Sequence, residues 1–276
     1  MIHTISPFYP MTKTLTTLLA ALSLTTGCGG SQQPSGTTQP AAATQSEAET
    51  EAPQADSFST PSGKTVRITA LLHASLRIEY DGREIQIDPV GRLGDRTVDY
   101  AAMPKADYLL VTHEHGDHLD PAALDVLTTE STVLLTNARC AEQLHRGRTM
   151  ANGDSLALAS DIAVRAVPAY NTTEGHLQFH PRGRDNGYVL TLDGLRIYIA
   201  GDTEDIPEMA DLGPVDVAFL PCNQPYTMTP TQLISAARTV RPRVLFPYHF
   251  GKTDLGGIAE TLQADGIDVR IRPAFE

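Results

Sequence analysis

Ala-Asp-Tyr-Leu-Leu-Val-Thr-His-Glu-His-Gly-Asp-His-Leu-Asp-Pro, residues 106–121, joins a compact apolar run to a cluster of metal-binding residue types. The run Ala106–Thr112 predicts a strand that is buried on both faces. Alternate side chains of an extended chain point the same way, so His113 and His115 can converge on one ion. The segment therefore predicts a metal site at the end of a buried strand.

The turn that follows supplies further ligands. Gly116 permits a tight reversal of the chain, which places Asp117 and His118 beside the first two histidines. Three imidazoles and a carboxylate in one loop suit zinc or another first-row divalent ion. The pattern His-Glu-x-x-His is excluded, because Asp117 stands where its second histidine would be. Asp120 then predicts a helix N-cap, with Pro121 at the first helical position.

From Lys64 onward the chain alternates short β-like runs with turn signals. Asp81-Gly82 predicts a hairpin, and Thr229-Pro230-Thr231-Gln232 has the form of a capping box that opens a helix. Besides Ala106–Thr112, the predicted strands are Val66–Leu72, Ser75–Tyr80, Arg83–Asp88, Ser131–Thr136, Leu156–Leu158, Ile162–Val167, Gly187–Leu192, Leu195–Ala200, Val215–Leu220 and Arg243–Pro247. The predicted helices are Ala122–Thr129, a helix from Pro230 to about Val240, and Ile258–Ala264. Early hairpins followed by mixed strands and helices predict two β-sheets with helices on their outer faces.

Two later strands end in residues that can bind a metal. The strand Leu195–Ala200 is followed by Gly201-Asp202-Thr203, and the strand Arg243–Pro247 by Tyr248-His249. A turn aspartate and a partly buried histidine are common on their own. Their shared position after a strand predicts that Asp202 and His249 meet the earlier histidines at one edge of the sheets.

Taken together, these motifs resemble the metallo-β-lactamase superfamily over residues 66–271. The resemblance is carried by Ile87-Asp88-Pro89, the run His113–His118, Gly201-Asp202-Thr203 and Pro247-Tyr248-His249. Leu72-His73-Ala74-Ser75 and Tyr226-Thr227-Met228 resemble the branch that holds ascorbate-phosphate lactonase and N-acylphosphatidylethanolamine phospholipase D. The resemblance implies a four-layer αββα sandwich of two mixed β-sheets with helices on the outer faces.

The resemblance also implies a ligand set for one or two divalent ions, with zinc expected and manganese or iron as alternatives. The ligands it implies are His113 and His115 for a first ion, Asp117, His118 and His249 for a second, and Asp202 as a bridge. Such ions activate water for attack on a phosphodiester, lactone or other ester. Asp117 is the expected catalytic residue, which either ligates and orients that water or accepts its proton.

Asn171 departs from the superfamily pattern, which usually places a histidine at this position. Asn171 can bind through its amide oxygen, His176 or His180 can enter from the following loop, or one ion can be held weakly; we favour His180 near the site, as ligand or substrate contact. His73 is expected at the edge of the site or as a buried structural histidine. Asp88 is expected to accept a histidine N–H, or else to form a simple turn.

The N-terminal segment predicts export rather than fold. Residues 1–27 have the form of a lipoprotein signal peptide, with an apolar stretch at 15–24 that is too short to span a bilayer. Cys28 is the predicted lipid-attachment site, so we expect an exported bacterial lipoprotein held at the membrane of the cell envelope. Residues 28–63 are rich in Ser, Gln, Thr and Pro and predict a disordered tether, and residues 64–276 form the predicted hydrolase domain.

Composition limits the remaining options. The formal charge of −12 argues against nucleic-acid binding, because an acidic surface repels phosphate backbones. Three cysteines exclude a disulfide scaffold, although a Cys140–Cys222 bridge is open. The leading hypothesis is a metal-dependent hydrolase of a small-molecule ester or phosphodiester. The alternative is a non-catalytic envelope protein that binds metal or a ligand at the same site. The sequence does not predict the oligomeric state.

Overall fold

The computed structural model describes residues 54–276. This part of the chain forms sixteen strands, four α-helices and three short 3₁₀ segments. The strands are β1 (Ala55–Ser59), β2 (Thr65–Leu72), β3 (Ser75–Tyr80), β4 (Arg83–Ile87), β5 (Arg92–Leu93), β6 (Arg96–Thr97), β7 (Tyr108–Leu110), β8 (Val133–Thr136), β9 (Arg148–Thr149), β10 (Ser155–Ala157), β11 (Ile162–Ala169), β12 (Asp185–Leu192), β13 (Leu195–Ile199), β14 (Val217–Pro221), β15 (Val244–Tyr248) and β16 (Asp268–Val269). The helices are α1 (Pro121–Leu127), α2 (Ala138–Leu144), α3 (Pro230–Val240) and α4 (Ile258–Gln263).

Two seven-stranded mixed sheets dominate the fold. The first has the order β1-β2-β3-β4-β7-β8-β9 and the second the order β10-β11-β12-β13-β14-β15-β16. In each sheet the first three pairings are antiparallel and the last three are parallel. The parallel halves are built from apolar strands such as β7, β14 and β15, which are buried at every position.

The two sheets share one hydrophobic core. Ile78 of the first sheet and Leu190 of the second belong to the same buried cluster. The opposite face of β7, at Leu109 and Val111, packs in a separate cluster with Leu124 of α1. The predicted sandwich of two mixed sheets with flanking helices is therefore confirmed.

The first strand corrects the predicted boundary of the tether. Residues 55–59 pair with β2 in an antiparallel ladder, although the sequence predicts disorder to residue 63. Asp56 bonds the guanidinium groups of Arg270 and Arg272, and the Phe58 ring meets the Phe246 ring edge-on at 6.4 Å. These partners are distant in sequence, so the Ser- and Thr-rich composition does not reveal them. The remainder of the predicted tether, the signal peptide and Cys28 lie outside the described residues.

The helix starts follow their capping chemistry. The Thr229 side chain accepts the N–H of Gln232, and the Gln232 side chain returns a bond to the Thr229 N–H, as the sequence predicts. The Asp120 side chain caps α1 by accepting the N–H groups of Ala122 and Ala123. Helix α2 has no counterpart among the predicted helices, and there the Asn137 side chain accepts the N–H of Cys140. None of the helices within residues 54–276 combines the length and apolar character needed to cross a bilayer.

The open question of a disulfide is settled by the structure. Cys140 and Cys222 are both buried free thiols. They belong to different hydrophobic clusters. Cys222 lies in the large core that both sheets share, and Cys140 lies in the smaller cluster between the first sheet and α1. No bridge between them contributes to this fold.

Candidate metal centre

The loop after β7 carries four of the predicted ligands. β7 pairs in parallel with β4 and β8, so its carboxyl end lies at one edge of the first sheet. The His118 N–H donates to the His115 carbonyl over 3.0 Å, which closes the turn. His113 and His118 are fully buried, whereas the Asp117 side chain is 32% exposed. Asp117 therefore lies nearer to the solvent than the two buried imidazoles.

Three imidazoles form a first group. Nε2 of His113 lies 3.1 Å from Nδ1 of His115, which lies 3.2 Å from Nε2 of His180. The ligand atoms of this group all lie within 4.8 Å of one another, close enough to hold one ion. His180 comes from the long connection between β11 and β12 and is buried. Two histidines from the loop after β7 and one from the connection between β11 and β12 thus converge on the same point.

A second group combines His73, Asp117 and His249. Oδ2 of Asp117 lies 3.5 Å from Nε2 of His73 and 3.4 Å from Nε2 of His249. The two imidazoles are in contact, with ring centroids 3.8 Å apart. Both histidines have positive φ, 55° for His73 and 48° for His249, which is unfavourable for a residue with a Cβ. Backbone strain of this kind is concentrated at functional sites.

Asp202 lies between the two groups. Its Oδ2 atom is 3.3 Å from Nε2 of His180 in the first group and 3.3 Å from Nε2 of His249 in the second. Its Oδ1 atom is 3.2 Å from Nε2 of His118. The residue follows β13 through Gly201, whose φ is +66° and whose position leaves no room for a side chain beside the carbonyl of Asn186. The glycine therefore lets the chain turn sharply enough to aim Asp202 at the imidazoles.

Hydrogen bonds behind the cluster fix the orientation of three imidazoles. Nδ1 of His118 lies 2.9 Å from the Asp88 carboxylate, and Nδ1 of His73 lies 3.2 Å from the Glu276 main-chain oxygen. Nδ1 of His180 faces the Tyr226 carbonyl at 3.1 Å. All three partners are acceptors, so each Nδ1 carries a hydrogen and each neutral ring turns the lone pair of Nε2 toward the cluster.

This arrangement fits a bound cation. The lone pairs on Nε2 of His118, His180 and His249 would otherwise face the Asp202 carboxylate at close range. Nε2 of His118, Nε2 of His249 and Oδ1 of Asp202 are buried, and they make no hydrogen bond within the described part of the chain. Buried polar atoms without partners are costly, and a divalent ion is the partner that both imidazole and carboxylate accept.

The charge states also match a cation site. Burial, together with the neighbouring His118 imidazole, holds the pKa of His113 well below its usual value. Burial likewise lowers the pKa of His180 to about 4. Burial opposes ionisation of Asp202, but the imidazoles of His249 and His118 outweigh it and hold the pKa of that carboxyl well below its usual range. Neutral imidazoles and ionised carboxylates are the forms that bind metals.

His118 differs from the other histidines. Burial acts to lower its pKa, but the carboxylates of Asp202 and Asp88 outweigh burial and raise the pKa well above its usual value. The two carboxylates therefore favour positive charge at this imidazole. A metal ion on Nε2 supplies that charge without a second proton on the ring.

The position of the usual family histidine is filled by Asn171, whose side chain turns away from the cluster. Its Oδ1 atom lies 2.7 Å from Nδ1 of His180, so the amide supports a histidine instead of replacing one. Of the two loop histidines considered, His180 enters the first group, whereas Nδ1 of His176 lies 3.8 Å from Glu204. A third candidate group combines His113, His118 and Asp202, and His176 belongs to none of the three groups found among the described residues.

Sequence reasoning missed Glu204 and Thr112. Glu204 is fully buried two residues after Asp202, and six hydrogen-bond donors reach its carboxylate. Burial opposes its ionisation, but bonds from Thr172, Thr173 and Asn171 lower the pKa of Glu204 to about 2. Thr112 donates both its N–H and its Oγ1–H to Asp88 at 2.7 Å. The sequence does not indicate that a polar loop residue such as Glu204 is buried. Its position two residues after Asp202 is the only available signal that it lies near the site.

Comparison with known proteins defines the class. Residues 67–249 match the Beta-lactamase superfamily domain, so the chain belongs to the metallo-β-lactamase superfamily. The enzymes that it resembles are named for metal-dependent hydrolysis, and the chain is a metal-dependent hydrolase of this fold. The names of these three proteins state neither a substrate nor a particular metal.

The similarity extends over most of the described part of this chain and most of each relative. An Archaeoglobus fulgidus protein named as a UPF0173 metal-dependent hydrolase is 29% identical in an alignment of 226 residues that covers 75% of this chain and 94% of that protein. A Pyrococcus furiosus protein of the same name is 32% identical over 197 residues, 67% of this chain and 84% of the relative. A crystal structure from Parabacteroides distasonis, for which metal-dependent hydrolase activity is proposed, is 51% identical with a TM-score of 0.78, and the match covers 82% of this chain and 100% of that one.

A fourth comparison extends to an archaeal enzyme. The metallo hydrolase Igni18 of Ignicoccus hospitalis is 26% identical, with a TM-score of 0.65 over 76% of this chain and 96% of its own. The predicted superfamily and the predicted enzyme class are therefore confirmed. The alternative of a non-catalytic binding protein finds no support among these relatives.

Proposed function

We propose that the enzyme holds two divalent ions of the zinc type and hydrolyses a small-molecule ester, in the class of phosphodiesters and lactones. The proposal is carried by the position of Asp202, whose carboxylate contacts imidazoles of both ligand groups at 3.3 Å. A carboxylate shared in this way is a natural bridge between two ions. Structural zinc sites usually close with Cys and His alone, and this donor set contains two carboxylates.

The described residues divide into two ligand sets. His113, His115 and His180 would hold the first ion. Asp117, His118 and His249 would hold the second, as the family resemblance implies; the structure groups Asp117 and His249 with His73, and His118 with His113 and Asp202. Asp202 would bind both. When bound, such ions act as Lewis acids that lower the pKa of water and polarise the ester carbonyl or phosphoryl oxygen.

Asp117 supplies the group that orients the attacking water. Burial opposes its ionisation, but His249 and His73 hold the pKa of Asp117 well below its usual range. At neutral pH the carboxylate is therefore an acceptor, and it orients a water O–H more readily than it removes a proton. Its partial exposure also makes it reachable from the solvent side, where a substrate enters. The imidazoles behind it are buried and exclude bulk water.

The test is metal-stimulated turnover of bis-p-nitrophenyl phosphate and of a lactone panel by protein that has been stripped with a chelator and reloaded. His115→Ala and Asp202→Ala should each lose bound metal and hydrolysis together. His176→Ala is the matched control, because this histidine stands outside the ligand groups and should keep both properties. Normal turnover by either ligand variant would overturn the proposed site.

A further inference from the structure

Glu204 is a buried carboxylate that makes no ion pair with lysine or arginine among residues 54–276. Nδ1 of His176 lies 3.8 Å from its Oε1 atom. The carboxylate is stabilised mainly by uncharged donors. Oε2 accepts the N–H and Oγ1–H groups of Thr172 and Thr173 at 2.6–2.9 Å, and Gln232 of the α3 capping box reaches it at 3.3 Å. A buried charge of this kind is costly unless its donors are held in place, so it fixes the loop that supplies them.

Asn171 connects this carboxylate to the metal ligands. Its Nδ2 atom donates to Oε1 of Glu204 at 3.2 Å and to the Tyr226 carbonyl at 2.8 Å. Both partners are acceptors, so the amide can have only one orientation, with Oδ1 toward His180. Oδ1 then accepts the Nδ1–H of His180 at 2.7 Å. The chain Glu204–Asn171–His180 leaves Nε2 of His180 free to face His115 and Asp202.

We propose that Glu204 and Asn171 are positioning residues that set the affinity of the first ion by orienting His180. The inference rests on the proposed function, in which His180 is a ligand. It also explains the departure from the family pattern. Asn171 occupies the usual histidine position and orients a histidine that lies nine residues further along the chain.

A ligand delivered from this connection needs such support. His180 lies eleven residues beyond the end of β11 and five before β12, in a segment without strand or α-helix. Holding an irregular segment in one conformation costs backbone entropy at every residue of the segment. The main-chain bond from Asn171 N–H to the His180 carbonyl, at 2.9 Å, closes the loop. The Glu204 bonds to Thr172 and Thr173 hold its first turn.

The same turn also carries the shared carboxylate. Asp202 and Glu204 are separated by Thr203, whose Oγ1 accepts the Tyr170 N–H at 3.1 Å. The Glu204 N–H donates to the Tyr170 carbonyl at 3.0 Å. Asp202 and the anchor of the His180 loop are thus placed by one short segment after β13. Within the described residues, Glu204 forms no hydrogen bond with a proposed ligand, and its link to the first ion runs through Asn171 to His180.

The test is zinc affinity measured by competition with a chromophoric chelator, on wild type, Asn171→Ala, Glu204→Gln and the double variant. Loss of a residue that orients a metal ligand typically lowers metal affinity about 10–100-fold. We expect that decrease for one zinc equivalent in each single variant, with the second equivalent unchanged. Because both residues act through His180, the double variant should bind little more weakly than the weaker single variant. The visible spectrum of the cobalt-substituted protein should change in the same variants.

Glu208→Gln is the matched control. Glu208 accepts bonds from the Tyr170 hydroxyl and Arg182 nearby, but it does not contact Asn171 or His180. It should keep both zinc affinities. Asn171→Ala leaves the bonds of Glu204 to the threonines in place, so it separates orientation of His180 from folding of the loop.

Two outcomes overturn different parts of the argument. If His180→Ala loses one zinc equivalent while Asn171→Ala and Glu204→Gln retain it at wild-type affinity, the positioning role is wrong and the ligand assignment stands. If His180→Ala itself retains both equivalents, His180 is not a ligand, and the proposed site fails with the inference. Additive losses in the double variant would likewise overturn the shared route through His180, because Glu204 and Asn171 would then act independently.

Discussion

The Asp88 carboxylate accepts the Nδ1–H of His118 across 2.9 Å, and both side chains are completely buried. Asp88 is held there by its bonds to Thr112, the last residue before the histidine loop. Its backbone is in the left-handed region, with φ of 43°. The carboxylate thus fixes the His118 ring while its own position is fixed by the strand that carries the ligands.

Asp88→Asn should therefore weaken metal binding without removing a ligand. An amide in this position must turn its NH₂ group either toward the Thr112 N–H or toward the pair of donors formed by Thr112 Oγ1–H and His118 Nδ1–H, so it cannot hold both Thr112 and the His118 ring as the carboxylate does. We expect metal affinity to fall about 10–100-fold, measured by chelator competition. Asp95→Asn, at an exposed aspartate, should leave the affinity unchanged. Unaltered affinity in Asp88→Asn would mean that His118 needs no support from this carboxylate.

Removal of metal should lower stability. An ion that binds only the folded state at a hundredfold excess over its dissociation constant contributes about 2.7 kcal/mol. The chelated protein should therefore melt several degrees lower in scanning calorimetry, and added zinc should restore the original Tm. His176→Ala should show the same metal-dependent shift as wild type. Identical melting with and without chelator would contradict a preformed cation site.

Gly201→Ala should be much more destabilising than Gly213→Ala. Both glycines have positive φ, but a Cβ on Gly201 would lie 2.7 Å from the Asn186 carbonyl, whereas the nearest atom to one on Gly213 is a flexible arginine end at 3.7 Å. We expect an additional cost of about 1–3 kcal/mol in urea unfolding at 25 °C. Gly201→Ala should also lower metal affinity, because Asp202 is the next residue. Equal costs at the two sites would mean that the close approach relaxes freely.

The N-terminal segment carries a separate proposal, that the enzyme is exported and anchored through a lipid on Cys28. The apolar stretch at residues 15–24, followed by small residues and a cysteine, is the basis of this proposal. Cys28→Ala should abolish incorporation of labelled palmitate in a bacterial host and release the protein from the membrane fraction. Cys140→Ala removes a buried thiol and should keep the label. Labelling that persists in Cys28→Ala would refute the anchor.

Much of the fold follows from local pattern. The buried strand before His113, the hairpin at Asp81-Gly82 and the capping box at Thr229 are each specified by a few adjacent residues, and the structure has all three. Strand β1 is different, because its partners Arg270 and Arg272 lie more than two hundred residues away. A half-exposed edge strand rich in Ser also lacks the apolar alternation that identifies a strand.

The candidate site divides in the same way. His113, His115, Asp117 and His118 share one loop, so their proximity is readable from spacing. Asp202 and His249 meet them because parallel strands end at a common edge. The part played by His180 depends on the path of a connection that has no regular structure, and the burial of Glu204 depends on donors that the same connection supplies. Neither property is encoded by residue type at a fixed spacing.

The ligand groups draw on both sheets, since His113 and His118 follow a strand of the first and Asp202 and His249 follow strands of the second. An ion bound between them would cross-link the two layers, in addition to the shared apolar core and to hydrogen bonds such as that from the Tyr188 hydroxyl to the Val111 carbonyl. The bonds between the ion and its ligands would therefore contribute both to the stability of the sandwich and to the reactivity of the site. A variant selected for weaker metal coordination and faster product release would therefore also weaken the association of the two sheets.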